Sequence, residues 1–236
     1  MSDHIVTAYD AELDALHTTI AEMAGLVEDQ LIKSIDSVAK RDEKLSEECQ
    51  EIDKKVDALE EEVESQVLRL LALRQPVAMD LRLIVSALKI SNDLERMGDY
   101  ATNVARRATA LSHMPEVGPI KGIVRMGRLT HEIIADIVSA YVEGNVEQAV
   151  KAWRRDEEVD QMYTSLFREM LTYMMEDPRN ITPCAHLLFV AKNIERIGDH
   201  GTNIAETIHF KEVGTRLEEK RPKADQSSMF AVSSES

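Results

Sequence analysis

Leu94-Glu-Arg-Met-Gly-Asp-Tyr-Ala-Thr-Asn-Val-Ala105 and Ile194-Glu-Arg-Ile-Gly-Asp-His-Gly-Thr-Asn-Ile-Ala205 are two versions of one phrase, 100 residues apart and identical at 7 of 12 positions. Upstream, Asp53-x-x-Val56-Asp57 returns as Asp156-x-x-Val159-Asp160, 103 residues later. A repeat at this spacing is one supersecondary unit used twice. Core packing accounts for matching Leu and Ile, but it does not account for matching Glu, Arg, Asp, Thr and Asn. The duplication therefore predicts a doubled site as well as a doubled fold.

Around the first phrase, Leu83, Ala87, Ile90, Leu94, Met97, Ala101, Val104, Ala108 and Leu111 alternate spacings of four and three. That is a heptad seam. Leu187, Val190, Ile194, Ile197, Gly201, Ile204 and Ile208 repeat it, and Ile52, Val56, Leu59, Val63, Leu70 and Leu73 trace a similar line with Gln66 as the polar exception. Breaks at Lys40-Arg41-Asp42, Arg74-Gln75-Pro76, Pro115 to Pro119, Glu143-Gly144-Asn145 and Asp177-Pro178 separate six long helices. Asp42 and Asn145 read as N-caps, Asn145 with Gln148 as a capping box. The expected fold is all-α, two tandem three-helix bundles over residues 1–113 and 120–212. Beyond Val213 the polar residues 213–236 bury too little apolar surface to offset their ordering entropy, and a mobile tail is expected.

The 236 residues suffice for two cores of this size. Aromatics make up only 4%, so aliphatic side chains must fill them, a helical palette. Against Asp+Glu 43 stand Lys+Arg 28, and the resulting formal charge of −15 repels nucleic acid and anionic lipid unless a basic stripe overrides it. No such stripe is seen along the chain; Lys220-Arg221-Pro222-Lys223 lies in the polar tail. No apolar run reaches the length of a membrane span and no signal peptide opens the chain, so a cytoplasmic protein without direct membrane insertion is expected. Cys49 and Cys184 form no Cys-x-x-Cys pair and read as small apolar residues. Trp153, Met170, Met174 and Met175 read as packing, and His186 and His200 as hydrogen-bonded boundary residues, since their counterparts are Ser86 and Tyr100.

Glu95 and Asp99, like Glu195 and Asp199, stand four apart and project from one helical face. With Leu94 and Met97 on the seam, Glu95, Asp99, Thr102 and Arg106 fall on the outward side, which makes the carboxylates surface groups. Asp53 and Asp57 on the preceding helix, with Asp156 and Asp160 in the second unit, could complete each site, and Asn103 and Asn203 could add amide oxygens. Oxygen donors suit hard or intermediate cations such as Mg, Mn and Fe(II). The competing reading is a solvated acidic face laced by Arg96 and Arg196. Gly98 and Gly198 each forgo about 1 kcal/mol of helix propensity, which points to a close approach by a neighbouring helix or a ligand.

The doubled Glu-Arg-x-Gly-Asp phrase, with Arg74-Gln-Pro76, Asp80-Leu-Arg82 and Leu171-Thr-Tyr-Met-Met-Glu-Asp-Pro178, resembles the PhoU family over about Tyr9 to Phe210. That resemblance implies paired three-helix bundles, commonly a homodimer, with metal ions (Mg, Mn, Fe or Zn) at Glu95, Asp99, Glu195 and Asp199. Asp53, Asp57, Asp156 and Asp160 are the weaker candidates. It further implies an adaptor between the phosphate ABC transporter's ATPase subunit and the cytoplasmic domain of a sensor histidine kinase, holding the starvation response off when phosphate is plentiful. Two alternatives stand beside it. A carboxylate-bridged di-iron enzyme would need paired Glu-x-x-His motifs, yet Glu206-x-x-His209 has Arg106 and Thr109 as its counterparts. A scaffold whose acidic faces bind nothing is the other.

Overall fold

The computed structural model describes residues 2–219, with side chains from Tyr9 onward. Six α-helices account for nearly all of it: α1 (Ser2–Lys40), α2 (Glu43–Arg74), α3 (Met79–Ser112), α4 (Ile120–Glu143), α5 (Val146–Glu176) and α6 (Ile181–Val213). A single 3-10 turn, Pro178–Asn180, precedes α6, and no strand occurs among the described residues. The helices part where the sequence breaks. Asp42 accepts a hydrogen bond from the Lys44 amide at 2.9 Å, and Asn145 Oδ1 accepts one from the Gln148 amide at 3.1 Å. Asn145 is a cap without the reciprocal half of a capping box, because its own amide donates to the Ala140 carbonyl at 2.9 Å. Gly144 (φ +65°) and Gly214 (φ +87°) end α4 and α6 in the left-handed conformation that favours glycine.

Helices α1, α2 and α3 pack mutually, as do α4, α5 and α6, and the two bundles join along α3 against α6 and α1 against α4. The seams are the core. Ala87, Ile90, Leu94, Met97, Ala101, Val104, Ala108 and Leu111 are buried, as are Leu187, Val190, Ile194, Ile197, Gly201, Ile204 and Ile208. Each fully buried aliphatic side chain contributes on the order of 1.5–3 kcal/mol. One seam assignment and one packing assignment fail at helix ends: Leu73 of the α2 seam and Met175, read as packing, are largely exposed. Gln66 keeps its polar group satisfied, donating to Thr19 Oγ1 at 3.1 Å and Glu62 Oε1 at 2.9 Å.

Helix α6 runs antiparallel to α3. Asp93 meets Asn203, Tyr100 meets Arg196 and Arg107 meets Phe189, which sets Gly98 and Gly198 at the same height across the seam. Arg41, in the turn between α1 and α2, donates to the carbonyls of Leu111, Ser112 and Met114 and thereby closes the C-terminal end of α3. Past α6 the chain turns back on the bundle: His209 Nδ1 lies 3.0 Å from the Thr215 carbonyl, Leu217 packs on the core and Glu219 pairs with Arg154 at 2.6 Å. The first residues expected to be mobile are thus anchored by one apolar and one ionic contact. The remainder of that expected tail, residues 220–236, lies outside the described residues.

Candidate metal centre

In the first repeat α2 and α3 bring Asp53, Asp57, Glu95 and Asp99 to one flank of the bundle, and Glu60 joins them from one turn further along α2. Their proximity registers in their titration. The Glu95 carboxyl is pushed up to about 7 by burial, then by the charges of Asp99, Glu60 and Asp57, with Arg96 opposing. Asp57 is raised by burial and by Asp53 and Asp99, and Glu60 by burial and by Glu64, Asp57 and Asp99. Arg96 stands 3.3 Å from Glu95 Oε2 and 3.1 Å from Asp99 Oδ2, as the solvated-face reading anticipates for this half.

The second repeat is deeper. Asp156 (1% exposed), Asp160 (3%) and Glu195 (4%) are buried between α5 and α6. Glu195 is pushed up to about 7 by burial and by Asp199 and Asp160, against the pull of Lys192, whose Nζ donates to its Oε1 at 2.8 Å. Its other oxygen, Oε2, is buried without a hydrogen-bond partner. Lys192 also lies 4.9 Å from the centre of the Tyr163 ring, while Arg196 turns across the seam to the Tyr100 ring instead of lacing the acids.

The outward placement of Glu95, Asp99, Thr102 and Arg106 holds for Arg106, which is exposed, and for Asp99, whose side chain is 44% exposed, but not for Thr102 or the largely covered Glu95. Thr102 is buried and accepts a hydrogen bond from Gln30 Nε2 at 2.8 Å. A two-helix seam leaves the flanks of α3 to solvent, but α3 is packed by α1, α2 and α6 together, so its flanks are covered as well. Gln30, from the middle of α1, also donates to Asp53 Oδ1 at 2.9 Å and the Cys49 carbonyl at 3.2 Å. Asn103 and Asn203, expected beside the carboxylates, line grooves on the α3–α6 seam, and Asn203 donates to Asp93 Oδ1 at 3.2 Å. Among the described residues no three Asp, Glu, His or Cys side chains converge tightly enough to hold a metal ion.

The glycines explain the close approach. A Cβ on Gly198 would meet Asp156 Oδ1 at 2.6 Å, and one on Gly98 would meet Gln30 Oε1 at 3.0 Å. The neighbouring polar side chains therefore lie against bare helix backbone in both repeats. Gly98→Ala is expected to change stability by less than about 1 kcal/mol, since helix propensity offsets a small shift of Gln30. Gly198→Ala must displace a buried carboxylate and is expected to destabilise by about 1–3 kcal/mol. Thermal unfolding of the two variants side by side checks the ordering.

Glu60, Gln30 and Lys192 were invisible to motif reading. Glu60 corresponds to Tyr163 and Lys192 to Asn92, so neither repeats, and Gln30 lies 72 residues from the threonine it binds. Glu206 and His209, the partial di-iron motif, are engaged elsewhere: Glu206 Oε1 accepts from Trp153 Nε1 at 3.0 Å and His209 faces the Thr215 carbonyl. Cys49 and Cys184 are buried free thiols, and burial pushes the Cys49 thiol up to about 12.

The PhoU domain family matches the chain twice, over residues 20–108 and 123–208. The "phosphate-specific transport system accessory protein PhoU homolog" of Caulobacter vibrioides is 47% identical over 226 residues, covering 95% of this chain and 98% of that protein. The Escherichia coli accessory protein PhoU is 35% identical over 210 residues, 89% of this chain and 87% of its own length. Among solved structures, PhoU from Pseudomonas aeruginosa superposes with a TM-score of 0.84 at 36% identity, over 88% of this chain and all of that one. The phosphate transport system regulatory protein PhoU from Streptococcus pneumoniae gives 0.82 at 27% identity, over 89% and 99%. Matched in both repeats, along nearly its whole length and in its three-dimensional fold, the chain belongs to the PhoU family.

Proposed function

We infer that the chain regulates phosphate uptake as a non-enzymatic, cation-dependent adaptor of a phosphate-specific transporter. Relatives named as accessory proteins of phosphate-specific transport support the role in phosphate transport regulation. The finer reading is that it joins the transporter's ATPase subunit to the cytoplasmic domain of a sensor histidine kinase, as a homodimer held at the membrane by these partners. No helix among the described residues is long and apolar enough to cross a membrane, which agrees with contact through partners.

One observation carries the cation dependence. Each repeat gathers partly buried carboxylates that repel one another, and Glu195 keeps an orphaned buried oxygen. Such a set is relieved by a proton or by a cation. Its chemistry, a set of carboxylate oxygens, joined in the first repeat by the Gln30 amide, fits a hard cation that keeps several waters. Glu95, Asp99, Asp53 and Asp57 would hold an ion in the first repeat, Glu195, Asp199, Asp156 and Asp160 in the second. Binding would neutralise the carboxylates where α2 packs on α3 and α5 on α6.

The test is capture of the purified ATPase subunit and kinase domain by the immobilised protein, with Mn or with chelator. Capture that requires Mn and disappears when Glu95, Asp99, Glu195 and Asp199 are all replaced by alanine is the expected result. Capture indifferent to both conditions would leave a metal-independent scaffold, and absence of capture would remove the adaptor role.

A further inference from the structure

The antiparallel contact of α3 with α6 leaves two grooves on the seam, related by the internal repeat. In the first, of about 650 Å³, Asp93 and Glu206 stand among Lys89, Arg96 and Arg216 and offset much of their charge, and His200 Nδ1 sits 2.7 Å from Asp93 Oδ1. In the second, of about 410 Å³, the positions matching Asp93 and Glu206 are Asn193 and Arg106. Arg107 and His186 complete that lining, and no Asp or Glu belongs to it. The acids of the first groove thus have no counterpart in the second, whose charged lining residues are all cationic, on a chain whose net charge is −15.

The cationic groove is also organised. The Arg107 guanidinium stacks 4.2 Å from the centre of the Phe189 ring, and its NH1 lies 3.4 Å from His186 Nδ1. That contact holds the guanidinium in the groove through its face, and a guanidinium suits planar, two-point recognition of an oxyanion. Burial, and then the Arg107 charge, hold the His186 imidazole below its ordinary value. Arg106 is exposed at the same groove, and Asn103 and Asn193 line it as well.

We propose that the groove formed by Arg106, Arg107 and His186 binds the dianionic phosphate group of a small molecule, free or as the end of a phosphate ester. Two guanidinium charges match a dianion, whereas a single carboxylate would leave one of them unopposed. The volume exceeds that of a bare oxyanion, and the half-exposed Phe189 ring offers an apolar wall to the organic part of an ester. Sequence reading found no basic stripe because Arg106 and Arg107 meet His186 only through the fold. The proposal stands apart from the carboxylate clusters on the flanks of the bundle.

The test uses the full-length protein stripped of metal ions, so that the carboxylates contribute nothing. Its histidine ring resonances are followed by NMR during titration with sodium phosphate or adenosine monophosphate, against chloride at matched ionic strength. His186 is expected to shift saturably while His200, in the acid-bearing twin groove, does not. The double variant Arg106→Glu, Asn193→Asp transplants the twin's acids onto a backbone already built to carry them. It is expected to weaken binding about tenfold or more, with an unchanged thermal transition. Tighter binding of the nucleotide assigns an ester ligand, and equal affinity assigns the free ion. No saturable shift of His186 by either ligand, an equal response at His200, or undiminished binding in the double variant would each overturn the proposal.

Discussion

In metal-free protein at pH 8, Glu195→Gln is expected to raise the unfolding free energy by about 3 kcal/mol, and at pH 4 the gain is expected to vanish. The sign follows from linkage. The carboxyl titrates near its ordinary 4.5 in the unfolded chain and near 7 in the folded one. Between those values the folded state binds the extra proton, so stability falls as pH rises through the window. Below the window both states are protonated and glutamine offers no advantage; above it the wild type carries the full penalty of a buried charge beside Asp199 and Asp160. Denaturant unfolding of the two proteins at several pH values measures the difference. Under the cation reading, Mn recovers much of the same penalty for the wild type at pH 8 and little at pH 4, where the carboxyl is neutral.

Trp153→Ala is expected to be the most damaging single change, lowering stability by about 3–5 kcal/mol. The indole is 1% exposed and fastens α5 to α6 one turn before Asp156. Its removal leaves a cavity and takes from Glu206 the N–H that it accepts at 3.0 Å. Trp153→Phe keeps most of the volume and loses the hydrogen bond, so a loss of about 1–2 kcal/mol is expected there. Chemical denaturation of both variants separates the packing and polar contributions.

What was legible in the sequence was whatever repeats locally. The four-three spacing from Leu83 to Leu111 gave α3, Asp42 and Asn145 marked two helix starts, and the doubled phrase disclosed both the tandem architecture and the acidic pairs. What stayed hidden depends on a third neighbour. A seam identifies one apolar line, yet α3 answers to three helices, so Thr102 and the flank bearing Glu95 are covered where an isolated pair would leave them wet. Lys192 in place of Arg196 as the partner of Glu195 is likewise a matter of which side chain the α3–α6 contact has already claimed, since Arg196 lies over Tyr100. The Arg106, Arg107 and His186 groove needs residues 79 apart in the chain to meet.

The level alignment of Gly98 with Gly198 limits how this gene can change length. One residue inserted into α3 ahead of Gly98 advances everything beyond it by about 1.5 Å and turns it through about 100°. The damage would be felt twice, against Asp53 and Gln30 within the unit and against α6 across the seam. Residues 75–78 lie outside any helix between α2 and α3 and are mostly exposed, so added residues there lengthen a surface connection and rotate nothing. An insertion at such a joint is therefore expected to cost far less stability than one inside α3 or α6.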